Sequence, residues 1–143
     1  MSRVRFSDHL KFGSAVAETR RAKGVTQTDL ATRLRVKPAR ICAIERGRSV
    51  PANQSAADEI ASALSCSEAQ RASLLRALAY DRLMRAVRAT FRRDYQVEML
   101  SVMITAAQEL GEQQSRTIIS SLSDVVQPAM KWNRLATKEE TIV

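Results

Sequence analysis

The segment Val25–Gly47, VTQTDLATRLRVKPARICAIERG, contains two short helical patterns with a brief turn between them. Thr26 followed by Asp29 three residues later is typical of a capping box, in which each side chain binds a free amide at a helix start. A second helix begins at Pro38, because proline suits the first helical position, and Gly47 ends it. The turn between the two helices is too short for anything but a sharp corner.

Apolar residues recur at spacings of three and four on both sides of this segment, without the two-residue alternation of strands. The spacing predicts a first helix over residues 7–23 with Phe12 and Val16 on its inner face, a fourth helix over 55–64, and a fifth helix capped by Ser67. The inner faces of the second, fourth and fifth helices would hold Leu30, Ala31, Leu34, Ala57, Ile60, Ala61, Leu64, Leu74, Leu75 and Leu78. The sequence therefore predicts an all-α chain.

Beyond Asp94 the apolar residues form two stripes along one helix, which indicates burial on two sides. One side can face the chain's own helices, and the other needs a partner, most simply a second copy of the chain. A further helix follows Gly111, and Pro128 interrupts or kinks it before a last short piece that holds Trp132. The residues predicted to form the dimer interface are Val97, Met99, Leu100, Met103, Ile104, Ile118, Leu122 and Val125.

These patterns divide the chain into three parts. A compact helical domain is predicted over residues 1–66, a helical oligomerisation region over 67–136, and a polar, disordered tail over 137–143. Within the second part the apolar spacing slips near Tyr80, where Asp81 could cap a new helix. The sequence leaves open whether the chain breaks or kinks at that point.

The charge is unevenly distributed along the chain, which carries +8 overall. Residues 1–66 carry a net charge of +6, residues 67–100 carry +3, and residues 101–143 carry −1. A basic surface favours a polyanionic partner such as nucleic acid, so that partner is expected at the N-terminal end.

The reactive side chains are few. His9 is the sole histidine, and the two cysteines, Cys42 and Cys66, lack the spacing of a zinc site. No metal site, no cofactor and no enzymatic activity are therefore expected. No apolar run reaches the roughly 18 residues that span a bilayer, and no signal-peptide pattern follows the start. We expect a cytoplasmic protein with both thiols reduced.

Residues 12–47, and more loosely those up to residue 64, resemble the phage-repressor/Cro type of helix-turn-helix domain, also called the Xre family. The resemblance rests on FGSAVAETRRAKGVTQTDLATRLRV, ICAIERG, Pro51 and IASAL, each at the family's spacing. It implies a five-helix lambda-repressor-like DNA-binding domain at the N-terminal end, followed by the helical oligomerisation region.

The resemblance also assigns roles to an ion pair between the first and third helices and to residues at the start of the second helix. Arg20 and Glu45 match the family's internal ion pair, which locks the first helix onto the helix that reads DNA. Gln27 matches a residue that contacts a phosphate, at a helix N-terminus whose free amides favour anions. An ordinary solvated side chain in the first turn is the alternative. Thr26 and Thr28 are weaker candidates for the same contact.

In this family the first turn of the third helix faces base edges in the major groove. The corresponding residues here are Lys37, Pro38, Ala39 and Arg40, with Ala43 one turn later. Phosphate contacts are expected from Arg46 and Arg48, and a solvated face is the alternative for these two. Arg40 is the expected base reader, bidentate to guanine, and phosphate binding without base choice is the alternative. The family's turn glycine is replaced by Arg35, where a left-handed conformation costs roughly 1 kcal/mol.

Four arginines after the fifth helix start fall on one helical face: Arg82, Arg85, Arg88 and Arg92. The simplest interpretation is the solvated face of an amphipathic helix. The alternatives are a contact with flanking DNA and a contact with an acidic surface on a partner.

The sequence therefore predicts a sequence-specific transcription regulator, a repressor that binds double-stranded DNA at an inverted repeat as a homodimer, at the nucleoid. The alternative is an antitoxin-like protein whose C-terminal helices bind another protein while the N-terminal domain binds its own promoter. A neighbouring toxin-like gene would favour the alternative, and an inverted repeat in a divergent promoter would favour the regulator.

Overall fold

The structure is a computed structural model that describes residues 10–139, with side chains described for residues 10–131. Every regular element in this range is an α-helix, which confirms the all-α prediction. Ser7 and His9 lie outside the described residues, but Leu10 and Lys11 are not helical, so the first helix begins at Phe12 and later than predicted. The helices of the described range are α1 (Phe12–Ala22), α2 (Gln27–Arg33), α3 (Pro38–Glu45), α4 (Gln54–Ala63), α5 (Glu68–Thr90), α6 (Asp94–Glu109) and α7 (Glu112–Glu139).

Side-chain caps set where two of these helices begin. The Thr26 hydroxyl accepts a hydrogen bond from the Asp29 amide, and the Asp29 carboxylate accepts one from the Thr26 amide, both at 3.0 Å. The predicted capping box at the start of α2 is therefore confirmed. Ser67 and Gln70 form a second capping box at the start of α5, where Ser67 was the predicted cap.

One apolar core joins the helices from α1 to α5. The predicted inner faces of α1, α2 and α4 are buried, while Leu34 and Leu75 are half-buried and pack against the core. Because a fully buried Leu, Ile or Phe side chain contributes about 1.5–3 kcal/mol, these helices stabilise one another. The buried core consists of Phe12, Val16, Val25, Leu30, Ala31, Ile41, Ile44, Ala57, Ile60, Ala61, Leu64, Leu74 and Leu78.

α5 runs without a break across Tyr80, so the slip in apolar spacing is not the start of a new helix. Asp81 is nonetheless a cap, but of a different helix. Its buried carboxylate accepts hydrogen bonds from the amides of Lys11 at 2.6 Å and Phe12 at 2.9 Å, at the start of α1. The apolar spacing slips because this position of α5 binds a helix terminus instead of packing against the core.

The first compact unit of the chain ends at Glu98, and the second begins at Met99. α5 belongs to the first unit, where it packs against α1 and α4. The first unit thus continues beyond residue 66, where the sequence was expected to pass into the oligomerisation region.

The second unit contains the end of α6 and all of α7. α7 continues through Pro128 to Glu139. The short piece predicted around Trp132 is therefore part of α7, and so are residues 137–139 of the predicted tail, whereas residues 140–143 lie outside the described range.

Candidate nucleic-acid interface

α2 and α3 meet at a corner formed by residues 34–37. Arg35 adopts a φ of +54° there, and the Val36 amide donates a hydrogen bond to the Ala31 carbonyl at 2.9 Å. A left-handed residue other than glycine costs roughly 1–2 kcal/mol. The left-handed turn expected at Arg35 is therefore confirmed, and the surrounding core holds it in place.

A buried ion pair joins α1 to the end of α3. Arg20 donates from Nε to Glu45 Oε1 at 2.6 Å and from Nη2 to Oε2 at 3.1 Å, and the two side chains are 10% and 5% exposed. Arg20 also donates to the Val25 carbonyl at 2.7 Å. The ion pair implied by the resemblance is confirmed. A third member was not expected in it: Gln27 Nε2 donates to Glu45 Oε2 at 2.6 Å.

These contacts keep the Glu45 carboxyl ionised. Burial raises its pKa, but hydrogen bonds from Arg20 and Gln27, together with the charges of Arg20 and Arg21, outweigh burial and leave the pKa below its usual value. The hydrogen bond with Glu45 raises the pKa of the Arg20 guanidinium, although burial opposes this. Because removing either partner would leave an uncompensated buried charge, α1 and α3 are held as one piece.

Gly13 lets α1 approach the last turn of α3 closely. A methyl group at this position would overlap the Ile44 carbonyl oxygen and would lie 2.9 Å from the Glu45 carbonyl oxygen. Backbone atoms cannot move aside without shifting the helix, so only glycine fits here. The orientation of α3 is thus fixed by a backbone contact as well as by the ion pair.

The exposed face of α3 points away from Ile41 and Ile44, which are buried. At about 100° per residue, Ala39, Ala43 and Arg46 lie on the opposite side of the helix. Ala39 and Arg46 are exposed, and Ala43 is half-buried. Two methyl groups and one guanidinium group therefore occupy the centre of the surface that could enter a DNA groove.

Arg40 lies at the flank of this surface. Its side chain is exposed and lines a recess together with Ser49 and Pro51 of the segment that follows α3. Lys37 and Pro38 are exposed at the start of the helix, with Pro38 at the first helical turn as predicted. From its flank Arg40 can extend toward a base edge or toward a phosphate.

The start of α2 presents the other predicted phosphate ligands. Thr26 and Thr28 are exposed and Gln27 is half-buried. The Thr26 hydroxyl donates its one proton to Asp29 Oδ2 at 2.6 Å, so that proton is used within the helix cap. An amide group has two N–H donors, so the Gln27 bond to Glu45 leaves one for a phosphate.

Arg46 and Arg48 follow α3 on either side of Gly47, and both are exposed. Gly47 has a φ of +66°, and the Arg48 amide donates to the Ala43 carbonyl at 2.9 Å, which folds this segment against the helix end. Arg85 of α5 reaches the same place, because its Nη2 lies 3.5 Å from the Arg48 carbonyl oxygen. Three arginines from two distant parts of the sequence therefore lie close to the end of α3.

The residues predicted to mediate dimerisation differ in their exposure. Val97 is only 2% exposed; it is buried within its own chain, so the prediction that it faces a second copy was wrong. Leu100 and Ile104 are half-buried. Met99, Met103, Ile118, Leu122 and Val125 are exposed, as are four apolar residues that the prediction omitted: Val102, Ile119, Val126 and Met130.

Sequence reasoning missed the roles of Gly13 and Asp81 and the particular position of Arg85. Asp81 left a trace, because an acidic residue between Leu78 and Met84, both buried, interrupts the apolar face of α5. Gly13 and Arg85 gave no such signal in the sequence. A glycine or an arginine near a helix surface is common, and the residues that each one contacts lie many positions away in the chain.

Among the described residues, no cluster of three or more metal-ligating side chains comes together. None of the helices in this range combines the length and the apolar content that a membrane span requires. Cys42 and Cys66 are half-buried free thiols. Burial raises the pKa of the Cys66 thiol, against the opposing charges of Lys23 and Arg71.

Residues 11–74 match a family model described as a helix-turn-helix domain. A segment of 45 residues is 44% identical to endothelial differentiation-related factor 1 of Homo sapiens and to its Gallus gallus homologue, covering 32% of this chain and 30% of each relative. The matched segment thus spans less than a third of these curated relatives. The crystal structure of the clp gene regulator ClgR from C. glutamicum matches with a TM-score of 0.42 and 28% identity, over 54% of this chain and 92% of that one.

Proposed function

We propose that the protein is a sequence-specific DNA-binding regulator of transcription, on the premise that residues 11–74 match a helix-turn-helix family model. The observation that carries the proposal is a rigidly held α3 with a basic exposed surface. Glu45, the one acidic residue between positions 37 and 48, is paired with Arg20. The basic residues around α3 are Lys37, Arg40, Arg46 and Arg48.

In this proposal α3 lies in the major groove. The Ala39 and Ala43 methyl groups contact thymine methyl groups, and Arg40 binds a guanine edge. Gln27 and Arg48 bind phosphates and so set the register of the protein on the duplex. The flank position of Arg40 keeps phosphate binding as the alternative role for that side chain.

A homodimer on an inverted repeat completes the proposal. One such domain makes few base contacts, and two linked copies double them without new chemistry. The exposed apolar side chains of the second unit support pairing with another copy. The two half-sites would then lie about 34 Å apart. Binding over a promoter would exclude the polymerase, so we propose a repressor that acts in the cytoplasm, at the nucleoid.

The same exposed apolar side chains favour a second candidate, an antitoxin-like protein whose C-terminal helices bind a different protein. Sedimentation of the purified full-length chain separates the two. A dimer at micromolar concentration supports the homodimeric regulator, whereas a monomer at that concentration supports the second candidate.

Selection of bound duplexes from a random pool tests the proposed function. We expect an enriched inverted repeat with a preferred G in each half-site. Arg40→Ala should relax the choice at that base and cost about 1–3 kcal/mol, while Gln27→Ala should weaken binding to all sequences alike. A pool without any enriched sequence would contradict the proposal, and a uniform loss for Arg40→Ala would move that residue to the phosphate-binding group.

A further inference from the structure

We infer that the DNA interface continues from the end of α3 onto α5, where Arg85 binds a backbone phosphate outside the half-site that α3 reads. This inference rests on the proposed DNA-binding function and extends its footprint. The ligand of Arg85 would be a phosphodiester group of flanking duplex DNA.

The first observation is the position of Arg85. Its Nη2 lies 3.5 Å from the carbonyl oxygen of Arg48, which is the residue proposed to bind a phosphate just past α3. A distance of 3.5 Å is at the long limit for a hydrogen bond, so the contact shows where the guanidinium group lies but leaves its donors largely unused. A guanidinium group has five N–H donors, and a phosphate accepts two of them in a bidentate pair.

The second observation is that this position is rigidly tied to α3. Asp81, one turn before Arg85 on α5, binds the first amides of α1 through its buried carboxylate. α1 is in turn held on α3 by the close approach at Gly13 and by the Arg20–Glu45 pair. The α5 backbone at Arg85 is therefore held in place relative to α3, and from there the Arg85 side chain can reach a phosphate beside the end of α3.

The third observation is that, among the described residues, the charge of Arg85, unlike that of Arg88, is not taken up by an ion pair at the protein surface. Arg88 forms an ion pair with Asp94 at 2.8 Å, which offsets its charge. The acidic group near Arg85 is Asp81, which is committed to two amides; burial raises its pKa more than those bonds and the Arg85 charge lower it. Arg85 is exposed. The solvated-face interpretation leaves the contact between Arg85 and Arg48 unexplained.

The test compares Arg85→Gln with Arg76→Gln. Arg76 is exposed on the same helix nine residues earlier, about two and a half turns, and so points to the opposite side. Both variants lose one positive charge, so a nonspecific charge effect would change both equally. Arg85→Lys retains the charge and serves as the rescue variant, and thermal melting confirms that each full-length variant is folded.

Each protein is titrated with the selected operator in two forms, one trimmed close to the half-sites and one extended by about one helical turn, or 10 base pairs, at each end. On the extended duplex we expect Arg85→Gln to reduce the salt dependence of log K by about 0.9 for each bound protomer. Arg76→Gln and Arg85→Lys should retain the wild-type dependence. On the trimmed duplex, Arg85→Gln and the wild type should bind alike.

Duplexes with a neutral methylphosphonate at one position then locate the contact. A flanking position should exist where neutralisation weakens the wild type but not Arg85→Gln. An unchanged salt dependence for Arg85→Gln on the extended duplex, or an equal loss for Arg76→Gln, would overturn the inference while leaving the proposed function intact. If the wild type bound no duplex with sequence preference, the proposed function and this inference would both fail.

Discussion

The two compact units use apolar side chains in opposite ways. In the first unit Leu30 and Ile41 are at most 1% exposed, whereas in the second unit Met99 is 57% and Val125 is 71% exposed. Both units have apolar residues at helical spacing, so the spacing alone does not distinguish them. What distinguishes the first unit is the presence of helices that cover one another, tied by polar contacts between residues far apart in sequence. A helical pattern thus predicts a helix but does not identify what covers it.

The strongest test of the first unit is the removal of Glu45. In Glu45→Ala the Arg20 guanidinium stays buried without its carboxylate, so we expect the free energy of unfolding to fall by about 3–5 kcal/mol in urea denaturation. Glu45→Gln retains the side-chain shape and should lose less. A loss below about 1 kcal/mol, the value of a surface ion pair, would contradict the claim that this pair fixes α1 on α3.

Two glycines compare the units directly. Gly13→Ala would force a methyl group into the α3 backbone, and we expect a loss of about 3 kcal/mol. Gly111→Ala, between α6 and α7, would meet only the flexible Gln114 side chain, 3.2 Å away, and should change stability by less than about 0.5 kcal/mol. Denaturation of both variants provides the measurement. Equal losses would show that the close approach at Gly13 is not specific to the first unit.

The acid sensitivity of the first unit should follow Glu45. Its pKa is lowered on folding, so its stabilising effect is fully present above its unfolded-state pKa of about 4.3. That effect is lost as the pH falls through the lower folded-state pKa. We expect the stability difference between the wild type and Glu45→Gln to narrow as the pH drops below this value. A constant difference between pH 7 and pH 3 would contradict the lowered pKa.

Much of the first unit could be predicted from sequence because its determinants are local. The capping residues Thr26 and Asp29, the proline at the start of α3 and the apolar face of α4 each act within a few positions, and the structure confirms them. The Arg20–Glu45 pair spans 25 positions, and its prediction depended on a family resemblance.

The remaining contacts depend on tertiary neighbours that spacing does not encode. Asp81 binds amides about 70 positions away, and Gly13 is required by carbonyl groups of another helix. For the same reason Val97 was wrongly assigned to an interface, since an apolar stripe looks identical whether its own chain or a second copy covers it. The predicted DNA contacts and the remaining dimer residues stay predictions.

A smaller effect is expected at the corner between α2 and α3. Arg35→Gly removes the cost of a left-handed residue that carries a side chain. The greater freedom of glycine in the unfolded chain offsets part of this, so we expect a net rise in the free energy of unfolding of roughly 0.5–1 kcal/mol. Urea denaturation measures it. A clear loss of stability would show that the Arg35 side chain makes a stabilising contact that outweighs its backbone strain.

The smallest change in the stability of the first unit is expected from removing the second. The most direct test uses a chain that ends at Glu98. Thermal melting and selection from the random pool show whether the first unit folds and reads DNA by itself. Sedimentation shows whether the second unit is needed to pair two copies. We expect cooperative melting, a monomer, and enrichment of the same half-site at weaker affinity. A truncated chain that still sediments as a dimer, or that selects no half-site, would contradict this division of roles.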